Sequence, residues 1–205
     1  MNPFNNSSGD GSGHLVVRER IVEICHTSNV ELRQGLPALG DLLALQPAVA
    51  LSYVISLDGQ LCGPDGSSRS LSDDTDLELL RRLRASADVV VVGRRTAEIE
   101  QYGPIRVREE FQVLRAAAGL APEPALVIID RKGPSLAAII AQYGPRVQLE
   151  AGVRSVHAFE DAITRVWLSH APVVVGNHDA ALDITLPPLR DRWVAANYVV
   201  SRYER

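Results

Sequence analysis

Four valines in a row closed by a glycine, Val89-Val90-Val91-Val92-Gly93, leave this chain few folds. β-branched side chains are stiff and crowd a helix, so the run is a strand. It has no polar alternation, so both its faces must be covered, as in a parallel sheet with helices on either side. Residues 48–57 form a second such run, and 125–130, 146–149, 173–176 and 198–203 read as further strands. Helices are expected between them. Ser72 or Asp73 caps one, with Asp74 and Asp76 at its positive end and Arg81, Arg82 and Arg84 at its negative end. Leu77, Leu79, Leu80 and Leu83 supply its core stripe. Further helices are read at 109–118, 135–143 and 158–169, and residues 15–45 carry a broken helical pattern with a short stripe at Leu39, Leu42 and Leu43. Alternating strands and helices give an α/β class, three layers with a mixed, mainly parallel sheet.

Size and composition agree. At 205 residues and 46% hydrophobic, one domain over 15–205 can bury its own core, with 1–14 as a disordered leader. Lys and Arg number 21 against 25 Asp and Glu, a net charge of −4, which argues against a general nucleic-acid binder. No run of apolar residues is long enough for a membrane span and no signal peptide is legible, so the cytoplasm is expected. Cys25 and Cys62 read as small buried hydrophobes in a reducing compartment.

Parallel sheets bind ligands at the carboxyl ends of their strands, often at a helix N-terminus. Asp58 follows residues 48–57, with Gly59 to turn the chain. Gly93, Arg94, Arg95 and Thr96 follow the valines, Asp130, Arg131 and Lys132 follow 125–130, and Gly176, Asn177 and His178 follow 173–176. Gly93 and the basic residues suit a phosphate, although turn residues are common at strand ends for structural reasons alone.

These residues bring a family into view. Ser56-Leu57-Asp58-Gly59, Ser70-Leu71-Ser72, Leu83-Arg84-Ala85, Asp88 with the valines, Gly93 and Thr96, then Glu100-Gln101-Tyr102-Gly103-Pro104, resemble in order and spacing the pyrimidine reductase domain of riboflavin biosynthesis. That domain has the dihydrofolate reductase-like fold. The resemblance implies NADPH as cofactor, a small-molecule substrate of the 5-amino-6-(5-phosphoribosylamino)uracil type, hydride delivery to the ribose C1′, and a homodimer. Position by position it implies a polar or proton-handling role for Asp58 at the reacting sugar. It gives substrate contacts to Ser68 and Arg84, cofactor contacts to Gly93, Thr96 and Glu100, and the adenosine 2′-phosphate to Arg131.

Family members follow the fourth strand with E-G-G, whose glutamate contacts substrate and whose glycines admit the cofactor pyrophosphate. Set against 173–176, that element becomes Val175-Gly176-Asn177 here, with Gly176 and Asn177 at the cofactor. The family also closes with a hairpin for which few residues remain after Asn177, so a helix and one or two strands are expected to be missing. A catalytically inactive nucleotide-binding or regulatory protein on the same fold is therefore the alternative reading.

Other motifs are set aside. Gly176-Asn177-His178-Asp179 resembles one element of the calcineurin-type phosphoesterases, but the other metal-binding elements are absent. Two distant cysteines cannot make the H-x-E and P-C-x-x-C signature of the zinc deaminase that accompanies the reductase in bifunctional enzymes, and no metal site is expected. No G-x-S-x-G is present, and no G-x-G-x-x-G follows a strand. Trp167 and Trp193 read as core or interface anchors, and Arg81 and Arg82 as complements to the helix dipole.

Overall fold

The structure, a computed structural model, describes residues 30–130, 133–152, 156–176, 182 and 184–205. Asn177, Arg131, Lys132, His178, Cys25 and the 1–14 leader lie outside the described residues. Eight strands form one sheet in the order β1-β7-β8-β6-β2-β5-β3-β4. They are β1 (Leu32–Gln34), β2 (Val49–Ile55), β3 (Val89–Gly93), β4 (Ala125–Ile129), β5 (Val147–Glu150), β6 (Arg165–His170), β7 (Leu189–Ala195) and β8 (Tyr198–Glu204). All pairings are parallel except those of β8, which runs antiparallel to β6 and β7. The helices are α1 (Leu39–Ala44), α2 (Asp74–Ala85), α3 (Arg94–Ile99), α4 (Glu109–Ala117) and α5 (Leu136–Tyr143). Among the described residues no helix is long and apolar enough to cross a membrane.

The valine run shows why the sheet needs both of its covers. Val89 and Val91 pack with Leu51, Leu149 and Ile139 of α5, while Val90 and Val92 pack with Ala97 and Ile105 on the opposite face. In β2, likewise, Val49 and Leu51 enter the first core and Ala50 enters a second with Leu42, Leu79, Leu83 and both tryptophans. Alternation of side chains along a strand, combined with helices on both faces, produces the three layers. Trp167 and Trp193 are buried core residues with ring centroids 5.6 Å apart.

Asp73 caps α2, its carboxylate accepting from the Thr75 and Asp76 amides. The inward face of that helix differs from the expected stripe. Asp76, Leu79 and Leu83 are buried, whereas Leu77 is 39% exposed. Positions i, i+3 and i+7 share a face, so a carboxylate occupies a place in the buried row.

The carboxyl-terminal third departs most from expectation. Residues 158–169 are not a helix: a 3-10 turn over His157–Ala162 gives way to β6, every residue of which is buried between β2 and β8. Apolar residues at 159, 163 and 166 mimic a helical period there, and sheet pairing overrides it. Conversely 173–176 is not a strand. Its Val175 and Gly176 amides bond to the Asp58 carboxylate, not to a sheet ladder, and Val174 is 67% exposed. The closing hairpin expected to be missing is present as β7 and β8, because β6 uses residues that the sequence reading had assigned to a helix. β1 and β7 were not anticipated.

Candidate functional site

A cavity of about 650 Å³ opens at the carboxyl ends of β2 and β5, between α2 and the chain running from α3 to Arg106. A volume of this order suits a cofactor or drug-sized ligand. Four of the residues singled out from sequence meet on its wall: Ser68, Arg84, Thr96 and Glu100. Gly93 lies just outside, as the N-cap of α3, whose first turn no side chain caps. Asp58 and Gly176 do not line the cavity.

Asp58 is occupied elsewhere. Its carboxylate accepts from the Ser56 hydroxyl at 2.6 Å and from the Val175 and Gly176 amides at 3.1 and 2.8 Å. Partial burial would raise its pKa, but these hydrogen bonds outweigh that and hold it below the usual carboxylate range. The geometry makes Asp58 an anchor for the loop at 173–176, with Gly176 at φ +75° completing the bend. Asp58→Ala is expected to cost about 1–2 kcal/mol at neutral pH, a figure discounted for solvent exposure. A carboxyl whose folded pKa is depressed stabilises above its unfolded value near 3.9 and loses that contribution as pH falls through the folded value. The difference between variant and wild type should therefore shrink in denaturant melts below about pH 4. A difference independent of pH would remove the anchor.

Arg84 forms the most elaborate contact on the wall. Its Nε and Nη2 donate to the two oxygens of Glu150 at 2.8 and 2.6 Å, and Nη2 also donates to the Tyr102 hydroxyl at 2.8 Å. Tyr102 donates in turn to Glu150, and its ring lies 5.1 Å from the guanidinium carbon. Burial would lower the Arg84 pKa, but the fork on Glu150 outweighs it and raises the value. Burial, reinforced by the Glu150 charge, raises that of Tyr102, which keeps its proton at neutral pH. The side chain expected to contact substrate is thus committed to a carboxylate. Glu100 is held similarly by Arg69 at 2.6 Å, with the Ser68 hydroxyl 3.5 Å away.

Glu150 also resolves the displaced motif. Counting β2, β3, β4 and β5 along the chain, the fourth strand is β5, and it closes with Glu150-Ala151-Gly152. The pattern expected at Val175-Gly176-Asn177, a glutamate with a glycine two positions on, occurs here as Glu150-Ala151-Gly152. A Cβ added at Gly152 would meet nothing nearer than Thr96 Oγ1, 3.8 Å away. The ends of β3 and β5 lie side by side in the sheet, beside the first turn of α3, which no side chain caps. That arrangement suits a dinucleotide pyrophosphate. The short strand at 146–149 is legible in the sequence, and Glu150 directly follows it.

A second buried group was read only as a dipole complement. Asp76 faces the cavity from α2, 8% exposed, and accepts from the Ser72 hydroxyl at 2.5 Å. Burial pushes its carboxyl up, the serine hydroxyls opposing. Arg94 pairs with Asp130 on the outer side, joining the ends of β3 and β4.

Comparison with known proteins follows these lines. Residues 47–147 match the family model described as the RibD C-terminal domain. No curated protein matches the sequence. Among solved structures, a pyrimidine reductase-like protein of Corynebacterium diphtheriae superposes with a TM-score of 0.68 at 18% identity, covering 82% of this chain and 98% of that one. The diaminohydroxyphosphoribosylaminopyrimidine deaminase/5-amino-6-(5-phosphoribosylamino)uracil reductase of Thermotoga maritima gives 0.59 at 18% identity, over 77% of this chain and 56% of that one. Dihydrofolate reductase of Enterococcus faecalis, complexed with NADP(H) and RAB-propyl, gives 0.54 at 13% identity, over 78% and 98%. At these identities the likeness is one of fold.

Proposed function

Because the chain belongs, through residues 47–147, to the RibD C-terminal domain family on a dihydrofolate reductase-like fold, we propose that it is an NADPH-dependent reductase of an aminopyrimidine or related heterocycle. The reaction proposed is hydride transfer to the ribose C1′ of a phosphoribosylaminopyrimidine, a step of riboflavin biosynthesis, by a homodimer. The observation that carries this reading is the cavity at the ends of β2 and β5, where Thr96, Gly152, Arg84, Glu150 and Tyr102 converge. NADPH, when bound, supplies the hydride. Gly152 and the first turn of α3 would hold its phosphates, with Thr96 between them. Arg84 fixes the Glu150 carboxylate in orientation, and Tyr102, kept protonated, is a hydrogen-bond donor at the same wall.

The alternative, a binding protein without turnover, had as its ground the loss of the glutamate and a glycine. The position of Glu150 and Gly152 at the end of β5 weighs for the reductase. Calorimetric titration with NADPH and separately with NADH is the test. The expected result is a dissociation constant in the micromolar range or tighter for NADPH, with NADH weaker. No heat and no thermal shift at millimolar NADPH overturns the reading.

A further inference from the structure

The sheet ends differently at its two edges. At one end β1 is three residues long, and its middle residue, Arg33, is held by Asp191 of β7 at 2.9 Å. A short strand with a central charge is a poor template for pairing with another chain. At the other end β4 has no such guard. Its five residues, Ala125-Leu126-Val127-Ile128-Ile129, carry no charge, no proline and no bulge, and among the described residues no strand lies on its outer side. The Ala125 amide donates inward to the Asp88 carbonyl at 3.0 Å. Backbone groups alternate along a strand, so 125, 127 and 129 turn theirs to β3, and Leu126 and Ile128 turn theirs outward. The Ile128 side chain, where a guarded edge carries a lysine, is apolar and 48% exposed.

We propose that β4 is the strand through which two copies of this chain associate, antiparallel, with Val127 on the two-fold axis. In that register Leu126 of each copy exchanges both N–H···O bonds with Ile128 of the other, and every outward backbone group of the two residues is used. Leu126 and Ile128 of both copies then share one face of the joined sheet, a row of apolar cross-strand pairs. Charge favours the antiparallel sense. Arg94 and Arg95 stand in the first turn of α3, which packs on β4 beside its carboxyl end, whereas Glu123 precedes its amino end. Antiparallel pairing sets the basic end of each copy towards the acidic end of the other, and parallel pairing sets like against like. A two-fold contact uses up both edges, so association stops at the dimer. The proposal rests on the homodimer of the proposed function, for which it names the surface, and it does not involve the cavity.

Sedimentation velocity on the full chain is the first measurement, and a dimer at micromolar concentration is expected. Ile128→Lys is expected to weaken that dimer about tenfold or more, with the circular dichroism and the NADPH affinity unchanged. Val127→Cys, made together with Cys25→Ser and Cys62→Ser so that no other thiol remains, tests the register. Opposed residues of a non-hydrogen-bonded antiparallel pair lie about 4.5 Å apart at Cα, within disulfide reach, so oxidised glutathione should link the two copies at position 127. Leu114→Cys in the same background, exposed on α4, should not link. Should Ile128→Lys not fold, the cysteine pair carries the test. A monomer at every concentration overturns this interface and the homodimer together. A dimer that Ile128→Lys leaves intact, or one that links at 114 and not at 127, overturns the β4 surface and leaves the homodimer standing. NADPH calorimetry on the same samples keeps the readings apart: linkage at 127 without NADPH binding overturns the reductase reading and leaves the interface.

Discussion

Replacing Arg84 by methionine is expected to destabilise the protein by about 3–5 kcal/mol, because it strands a buried carboxylate. For a chain of this length that is a fall of roughly 6–20 °C in the thermal midpoint. The Glu150 side chain is 5% exposed and that of Arg84 is 23% exposed, so neither recovers its hydration in the folded state. With the guanidinium gone, Glu150 keeps only the Tyr102 hydroxyl among its side-chain partners here. The double change Arg84→Met with Glu150→Gln removes both charges and should recover much of the loss. Thermal melts of the two singles and the double measure the coupling directly. Additive losses would mean that the fork contributes little and that the wall is held by packing alone.

Gly152→Val separates fold from cofactor in the opposite way. An added Cβ at this glycine meets only ordinary van der Waals contact in the protein alone, 3.8 Å from Thr96 Oγ1. The variant should therefore melt within about 1 °C of wild type, as expected for a substitution within ±0.5 kcal/mol. If the pyrophosphate lies between the ends of β3 and β5, the added methyls occupy its place. Overpacking of 1–3 kcal/mol corresponds to NADPH affinity lowered about 5- to 150-fold. Calorimetry on the variant gives the answer: unchanged NADPH affinity would move the cofactor away from β5.

Each prediction involves a residue, Glu150 or Gly152, that the sequence reading did not single out, and the reasons are specific. The candidates that meet on the cavity wall, Ser68, Arg84, Thr96 and Glu100, are those that the family resemblance implies. Glu150 is hard to single out from sequence because it follows a short, partly polar strand, whereas 173–176 is the more strongly apolar segment. Asp76 escaped because a carboxylate in the first turn of a helix has a sufficient local explanation in the dipole. Only the packing of α2 on β6 turns it inward.

What the sequence by itself determined was the class of fold and its local boundaries. The valine run, the Asp73 cap, the Gly59 turn and the helices at 109–118 and 135–143 follow from side-chain stiffness, backbone hydrogen bonding and periodicity within about a dozen residues, and those forces act before any tertiary contact forms. Tertiary structure decided which apolar segments became strands. Residues 165–170 and 173–176 are both short, and both could extend. The first lies against β2 and β8 and takes the ladder; the second follows Pro172, finds its amides bonded by Asp58, and becomes a loop. Strand pairing joins residues more than a hundred positions apart, so the choice is made by the sheet as a whole. With it went the position of the glutamate and glycine at the site, which the fourth strand, once identified, brings to the cavity.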